Sequence, residues 1–230
     1  MRGFGGKISA RQRRWLEALA VSSLILVADI YVVSSGILQT TDLSLWKDYA
    51  TALGPPAFRV VEALTLVGVV HESDRIVTIC SVLMTIGFAG LFVIRRLPFV
   101  GAMLVVAVSG TAAVAEVLKV VVDRNGPSLT AWTAGGHTFP SGTAAVAVAF
   151  FGMLAYVAYH RLKRARAWAV GVCMLVVLGL LASSLTYHYP TEVLGGVATG
   201  IAWLSLLQIV FWESLRRELF FRELREESIC

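Results

Sequence analysis

Three short polar segments carry the side chains of this sequence that are suited to chemistry, and each lies where a long apolar run meets a loop. They are 119–127 (KVVVDRNGP), 135–144 (GGHTFPSGTA) and 185–196 (LTYHYPTEVLGG). Together they hold a lysine, an arginine, two histidines, a Ser-Gly helix start and a glutamate. An anion site with a nucleophile requires these residue types, so we expect the three segments to converge at one membrane surface.

Lys119 and Arg124 are the candidate cations. Lys119 lies one turn inside an apolar run, where a charge is costly and usually faces the protein interior or a water-filled cavity. Arg124 follows just outside the run, and its planar fork suits a phosphate held through two hydrogen bonds. The alternative for Lys119 is an ion pair with Glu116 on the same helix face, with the ammonium reaching toward the lipid headgroups.

The FPSGT stretch predicts a helix that begins at a capping serine. Ser141 is a favourable N-cap, and Gly142 lets an anion approach the backbone closely. With Thr143 in the first turn, the free N–H groups and the dipole of this helix end attract negative charge. A capped helix without any ligand is the alternative, and it explains the Pro-Ser-Gly sequence by itself.

His188 and Glu192 stand four residues apart at the start of the last apolar run. A carboxylate in this place accepts a hydrogen bond from one imidazole nitrogen, which fixes the tautomer and leaves the other nitrogen for chemistry. A single histidine near a membrane surface is usually only an interface residue. The acid at the fourth position and the glycine pair that follows, Gly195 and Gly196, favour a functional pair.

The composition indicates a protein that crosses a membrane several times. Of its 230 residues, 57% are apolar and only 15% are charged, with a mean hydropathy of +0.75, whereas soluble domains carry about 25% charge. The net charge of +5 is explained by topology rather than by nucleic-acid binding, because the charges lie in short blocks between apolar runs. The three cysteines match no disulfide or metal-binding pattern.

Six runs have the roughly 20 apolar residues that a helix needs to cross the hydrocarbon core. They are 15–38, 76–94, 97–122, 141–160, 167–184 and 190–212. The region 39–75 is expected to form a helical hairpin at the membrane surface, with a seventh, tilted span as the alternative. The predicted fold is therefore an all-α, six-helix membrane bundle in a single domain, 1–230. An amphipathic tail, 213–230, is expected to form a helix on the cytoplasmic membrane surface.

The basic residues predict the orientation of this bundle. Of the 20, five lie before the first span, two between the second and third, four between the fourth and fifth, and four after the sixth. Because cytoplasmic loops are enriched in Lys and Arg, we expect both termini in the cytoplasm and the three polar segments on the outer face. The first apolar run is expected to be a retained anchor rather than a cleaved signal.

The three segments, their order and their positions at span ends resemble the type 2 phosphatidic acid phosphatase superfamily of membrane enzymes over roughly residues 97–212. HYPTEVLGG resembles that family's HxxxD segment and glycine pair, FPSGT resembles its PSGH, and KVVVDRNGP resembles its K-x6-R-P. The resemblance implies a lipid phosphatase in which His188 attacks phosphorus to form a phospho-histidine while Glu192 orients the ring. Lys119, Arg124 and the backbone near the Ser-Gly helix start would hold the phosphoryl oxygens.

Several positions depart from the family pattern. Gly126 stands where the family has an arginine before proline, Thr143 where it has a general-acid histidine, and Leu181 with Ala182 where it has a Ser-Arg pair. A missing acid matters most when an alkoxide must leave, so a lipid diphosphate such as a polyprenyl diphosphate is the expected substrate in preference to phosphatidate. The alternative is a catalytically weak or inactive relative that binds or carries a lipid phosphate.

His137 is the candidate substitute acid, with an ordinary loop histidine as the alternative. No metal, nucleotide loop or redox cofactor is expected, and His71 with its neighbouring acids is expected to form a surface turn. A haloperoxidase-like vanadate site is disfavoured by the membrane spans. The expected partners are the lipid bilayer and a lipid phosphate, and not nucleic acid.

Overall fold

The computed structural model describes residues 10–66, 74–127, 137–162 and 165–226. These residues form seven helices: α1 (Ala10–Ser35), α2 (Gln39–Leu66), α3 (Asp74–Ile94), α4 (Pro98–Val122), α5 (Gly142–Arg161), α6 (Arg166–Ser184) and α7 (Pro190–Glu226). In the described part of the chain the only β pairing is an isolated bridge between Asn125 and His137. The all-α prediction is confirmed.

Five stretches are long and apolar enough to cross a membrane: Gln12–Ser35, Pro98–Val122, Gly142–Arg161, Arg166–Ser184 and Pro190–Trp212. A shorter apolar stretch, Ser81–Ile94, belongs to α3. These six stretches fall on the six spans predicted from the sequence, so the prediction of a multi-pass membrane bundle is confirmed. Many of their outward side chains are exposed, including Leu24, Val120 and Leu175, which suits helices surrounded by lipid.

The segment between spans one and two differs from the predicted hairpin. The backbone from Gln39 to Leu66 is one continuous helix that runs through Pro55 and Pro56. The φ angle that proline imposes is compatible with a helix, so proline removes backbone hydrogen bonds without requiring a reversal of the chain. The predicted turn around His71 lies outside the described residues.

Close packing of α5 against α7 forms the centre of the bundle. Gly200 on α7 has no room for a side chain, because an added Cβ would lie 2.7 Å from the carbonyl oxygen of Ala145. Small residues let membrane helices approach closely and gain van der Waals contact in place of a hydrophobic driving force. Toward the α4 side, Leu104, Phe150 and Leu207 belong to one buried apolar cluster.

The last helix continues well beyond the membrane-spanning stretch. The sequence predicts an amphipathic helix on the membrane surface from residue 213; in the structure these residues continue α7 unbroken to Glu226, and Leu215 and Leu219 are buried in the apolar cluster. The Glu218 carboxylate accepts hydrogen bonds from the first free N–H groups of α4, at Phe99 (2.9 Å) and Val100 (2.6 Å). An acid at a helix N-terminus is favourable, so this contact fixes the tail beneath the bundle.

Candidate active site

His188 and Glu192 form a hydrogen-bonded pair at the start of α7. The His188 backbone N–H bonds the Ser184 carbonyl (2.9 Å) in the turn after α6, which places its ring before the helix begins at Pro190. Nδ1 of the ring lies 2.8 Å from Oε2 of Glu192, whose side chain is completely buried. With Nδ1 engaged by a carboxylate, Nε2 is the ring nitrogen left for chemistry.

Glu192 accepts further hydrogen bonds that hold its carboxylate in place. Thr138 Oγ1 donates to Oε1 at 2.8 Å, and the Tyr189 backbone N–H donates to Oε2 at 3.3 Å. The Thr138 backbone N–H donates to the Arg124 carbonyl at 2.8 Å, which connects the residues before α5 to those after α4. A buried carboxylate requires such partners. Thr138 is not among the site residues predicted from the sequence, and no local pattern marks it.

The start of α5 lies beside this pair. Ser141 caps the helix, since its Oγ accepts from the Ala144 N–H (3.3 Å), and its own N–H donates to the Glu192 carbonyl (2.9 Å). Ser141 is fully buried, so its side chain serves the helix cap. Thr143 follows in the first turn and is half-buried.

Lys119 approaches the same helix start from α4. Its Nζ lies 3.7 Å from the position that a Cβ on Gly142 would occupy, and only 22% of its side chain is exposed. The ammonium also pairs with Glu116 at 2.7 Å, as the alternative interpretation of the sequence expected. A cation placed against a helix N-terminus puts two positive potentials together, and an anion between them is favourable.

Arg124 contacts three side chains, Asp42, Thr191 and Glu192, and together these four residues form a polar cluster. Nη1 donates to Thr191 Oγ1 (2.6 Å), Nη2 to Asp42 Oδ2 (2.8 Å), and Nε lies 3.7 Å from Glu192 Oε1. Its side chain is 12% exposed and lies over the Tyr189 ring, 4.7 Å from the centroid. The structure therefore brings Arg124 to the His188 pair through Glu192, with much of its hydrogen-bonding capacity already engaged.

Two acids from the helices before the polar segments also reach this cluster. Asp42 in α2 is buried and contacts Arg124 and Thr191. Asp29 in α1 is buried beside Gly195, where its Oδ2 lies 2.9 Å from the position of an added Cβ and has no hydrogen-bond partner among the described residues. The sequence signal for Asp29 and Asp42 is an acidic residue within or beside an apolar run. This signal does not identify the residue that the acid contacts.

His137 takes a different position. Its Nδ1 lies 2.7 Å from Asp123 Oδ1, and both side chains are largely exposed. The structure therefore places His137 at the surface, beside Asp123 at the end of α4. The sequence also predicts that Gly135 and Gly136 let His137 move toward the site, and both glycines lie outside the described residues.

The positions of the missing Ser-Arg pair lie at the end of α6. Leu181 and Ala182 carry no polar side chain, but the Ala182 carbonyl accepts a 2.6 Å hydrogen bond from the Tyr49 hydroxyl of α2. Within the described ranges, no group of three or more His, Cys, Asp or Glu is arranged to hold a metal ion.

Tyr189 and a cavity complete the surroundings of Arg124. Burial raises the pKa of the Tyr189 phenol above its ordinary value of 10.0, and the adjacent Arg124 charge opposes that rise. The phenol is therefore uncharged at neutral pH. A cavity of about 200 Å³ opens between the α1–α2 corner and Arg124, with Val33 and Leu38 on its apolar side.

Comparisons with known proteins agree with the fold. Residues 99–216 match the family model of the PAP2 superfamily. The structure is similar to the first transmembrane PAP2 type phosphatidylglycerolphosphate phosphatase from Bacillus subtilis, with a TM-score of 0.70 and 19% identity over 86% of this chain and 98% of that chain. No curated protein sequence matches the chain. At this level of identity the structural likeness concerns the fold alone.

Proposed function

Because the chain belongs to the PAP2 superfamily, we propose that this multi-pass membrane protein hydrolyses a lipid phosphate or diphosphate through a phospho-histidine intermediate. The observation that carries the proposal is the 2.8 Å bond between His188 Nδ1 and the fully buried Glu192 carboxylate. A histidine whose tautomer is fixed in this way presents Nε2 as a nucleophile, and the adjacent carboxylate stabilises the positive charge that forms on the ring.

The reaction has two steps. The Nε2 lone pair of His188 attacks phosphorus, and the bond from phosphorus to the bridging oxygen breaks with its electron pair on the leaving oxygen. Water then attacks phosphorus, the bond to Nε2 breaks, and inorganic phosphate leaves. Glu192 keeps its bond to Nδ1–H throughout, so it orients the ring and balances its charge in both steps.

Lys119 and the start of α5 form the proposed phosphate cradle. The N–H groups at Gly142 and Thr143 belong to the first turn of α5, and the Lys119 ammonium stands over Gly142. These groups supply positive potential where negative charge increases in the transition state. Ser141 contributes by capping the helix. Arg124 adds positive charge from behind Glu192, and direct binding of phosphate by Arg124 stays a prediction.

The substrate preference follows from the residue at position 143. Threonine has no group that can protonate a leaving alkoxide, whereas a lipid monophosphate leaving from a diphosphate is already a stable anion. We therefore expect a lipid diphosphate such as a polyprenyl diphosphate to be hydrolysed faster than phosphatidate. His137 remains a candidate substitute acid, and its pairing with Asp123 offers a carboxylate that would orient its ring.

A second candidate function is binding or carriage of a lipid phosphate without efficient turnover. The observation in its favour is that Arg124 is already engaged by Asp42 and Thr191, so fewer cationic donors are open to the substrate than the family pattern supplies. Under either function, the distribution of basic residues supports an outer-face site with both termini in the cytoplasm.

Phosphate release separates the two functions. The purified full chain in detergent or liposomes is assayed on a polyprenyl diphosphate and on phosphatidate. His188→Ala is the test, and His160→Ala is the matched control, because His160 lies in the last turn of α5, at the end away from the candidate site. We expect release by wild type and by the His160 variant, and loss of at least about 10³-fold with His188→Ala. Lipid binding without release by wild type would favour the carrier, and faster release from phosphatidate would contradict the proposed preference.

A further inference from the structure

Asp42 lies in α2, outside the stretch that matches the family, yet its side chain is built into the polar cluster. Its carboxylate is 3% exposed. Oδ2 accepts hydrogen bonds from Arg124 Nη2 (2.8 Å) and Thr191 Oγ1 (2.6 Å), and Oδ1 accepts from the Thr191 N–H (3.3 Å). Thr191 precedes Glu192 in the first turn of α7. Asp42 therefore contacts Arg124, the cation beside Glu192, and also the start of the helix that carries Glu192.

Arg124 stands between two carboxylates. On one side it binds Asp42, and on the other its Nε lies 3.7 Å from Oε1 of Glu192. The second oxygen of Glu192 binds His188 Nδ1 at 2.8 Å. The Arg124 guanidinium is therefore shared between Asp42 and Glu192, the acid that binds the His188 ring. The effect of Arg124 on Glu192 depends on Asp42 for this reason.

The ionisable groups that face this network in the described part of the chain come from several elements around it. They are Asp29 on α1, Asp42 on α2, Arg124 after α4, Lys119 near the start of α5, and Glu192 with His188 at the start of α7. Removing one negative charge from this set makes the surroundings of the ring more positive. A more positive surrounding weakens the attraction of the ring for a proton and the nucleophilicity of Nε2.

We propose that Asp42 is a positioning residue for the reaction: it binds and partly offsets the Arg124 guanidinium, so that Arg124 does not cancel the negative charge with which Glu192 makes His188 Nε2 a strong nucleophile. This inference rests on the proposed function, in which His188 attacks phosphorus. For charges about 10 Å apart at an effective dielectric constant of about 20, one unit charge moves a protonation midpoint by about one pH unit.

The kinetic test compares Asp42→Asn with Asp48→Asn, which removes the same charge from an exposed position on the same helix. For Asp42→Asn we expect the acid limb of kcat/KM against pH to move about one unit lower, kcat to fall about three- to tenfold, and KM to stay within about twofold. Asp42→Glu, which restores the carboxylate, should return the acid limb toward its wild-type position. Asp48→Asn should change neither the acid limb nor kcat.

Two kinetic outcomes would overturn the inference. A lower rate with an unmoved acid limb would mean that Asp42 only supports the fold. A lower KM with an unchanged or higher kcat would mean that Asp42 blocks the Arg124 fork and that the substrate must displace it.

A second measurement needs no turnover. Size-exclusion chromatography first shows that wild type and Asp42→Asn are both monodisperse. Each is then treated with diethyl pyrocarbonate from pH 5 to 9, and the carbethoxylation of His188 is followed by mass spectrometry. Because only the neutral ring reacts, the extent of carbethoxylation reports the protonation of His188. A lower midpoint in the variant supports the inference, and equal midpoints overturn it. If wild type releases no phosphate from any lipid, the proposed function fails, while this midpoint still decides the role of Asp42.

Discussion

Substitution of Gly196 by alanine is expected to separate the two helix starts, of α5 and α7, that border the candidate site. A Cβ at this position would overlap the Ser141 carbonyl oxygen and lie 2.9 Å from the Ala144 Cβ. Both contacts are with parts of α5 that cannot move independently of its backbone. The same region carries the 2.9 Å hydrogen bond from the Ser141 N–H to the Glu192 carbonyl, which ties the start of α5 to α7.

The size of the effect follows from the required displacement. Carbon atoms in contact normally lie about 3.5–4.0 Å apart, so the helix starts must move apart by roughly 0.5–1 Å. Overpacking of this kind costs about 1–3 kcal/mol of stability. A displacement of about 1 Å between catalytic groups can cost about 10²-fold in rate. We therefore expect Gly196→Ala to lose about 10- to 100-fold in kcat/KM.

The assay pairs phosphate release with thermal unfolding of the purified chain in detergent. Gly200→Ala, one turn deeper, meets the Ala145 carbonyl at 2.7 Å and should lower the unfolding temperature to a similar extent with a smaller loss of rate. Gly179→Ala on α6 makes the same chemical change where an added Cβ meets no atom within 4 Å, so it should leave the rate unchanged and should not lower the unfolding temperature.

Retention of the full rate and unfolding temperature by Gly196→Ala would refute the reasoning. It would mean that the two helix starts tolerate a wider spacing than the described contacts allow. An equal loss of rate in Gly200→Ala would show instead that the effect is a general loss of stability rather than a displacement of His188 from the α5 start.

Two further substitutions test the pair and the tail. Glu192→Gln keeps the shape of the side chain but removes the charge that orients the His188 ring, so we expect kcat to fall about 10²- to 10⁴-fold, measured by phosphate release; a loss below about tenfold would contradict the role assigned to the acid. In Glu218→Gln the amide oxygen can accept from only one of the two N–H groups at Phe99 and Val100, so one hydrogen bond is lost and the other loses its charge. We expect it to cost about 1–2 kcal/mol of stability in thermal unfolding with kcat preserved, and an unchanged unfolding temperature would show that the tail contact is dispensable.

The amino-acid sequence determined the membrane bundle and the order of its polar segments. Spans can be recognised from sequence because the thickness of the hydrocarbon core fixes how many apolar residues a helix needs. The His188–Glu192 pair could also be predicted, since an acid four positions after a histidine at a helix start lies close enough to bond its ring. The same holds for the Ser141 cap, which depends on contacts within three residues.

The limits of the sequence appear where a partner is distant along the chain. Asp42 and Arg124 are 82 residues apart, and Glu218 meets the start of α4 from 119 residues away at Phe99. No periodicity records such pairings. Likewise, the burial of Leu215 depends on the helices packed around it, whereas the local pattern shows only an amphipathic face.

What the sequence by itself determined is therefore local: the helices, their apolar faces and the His188–Glu192 pair, each set by spacing of a few residues along the chain. The tertiary structure decided which charges share a site. A buried ion pair forms only where packing removes both partners from water and leaves them within reach of each other, as for Asp42 and Arg124 at 2.8 Å.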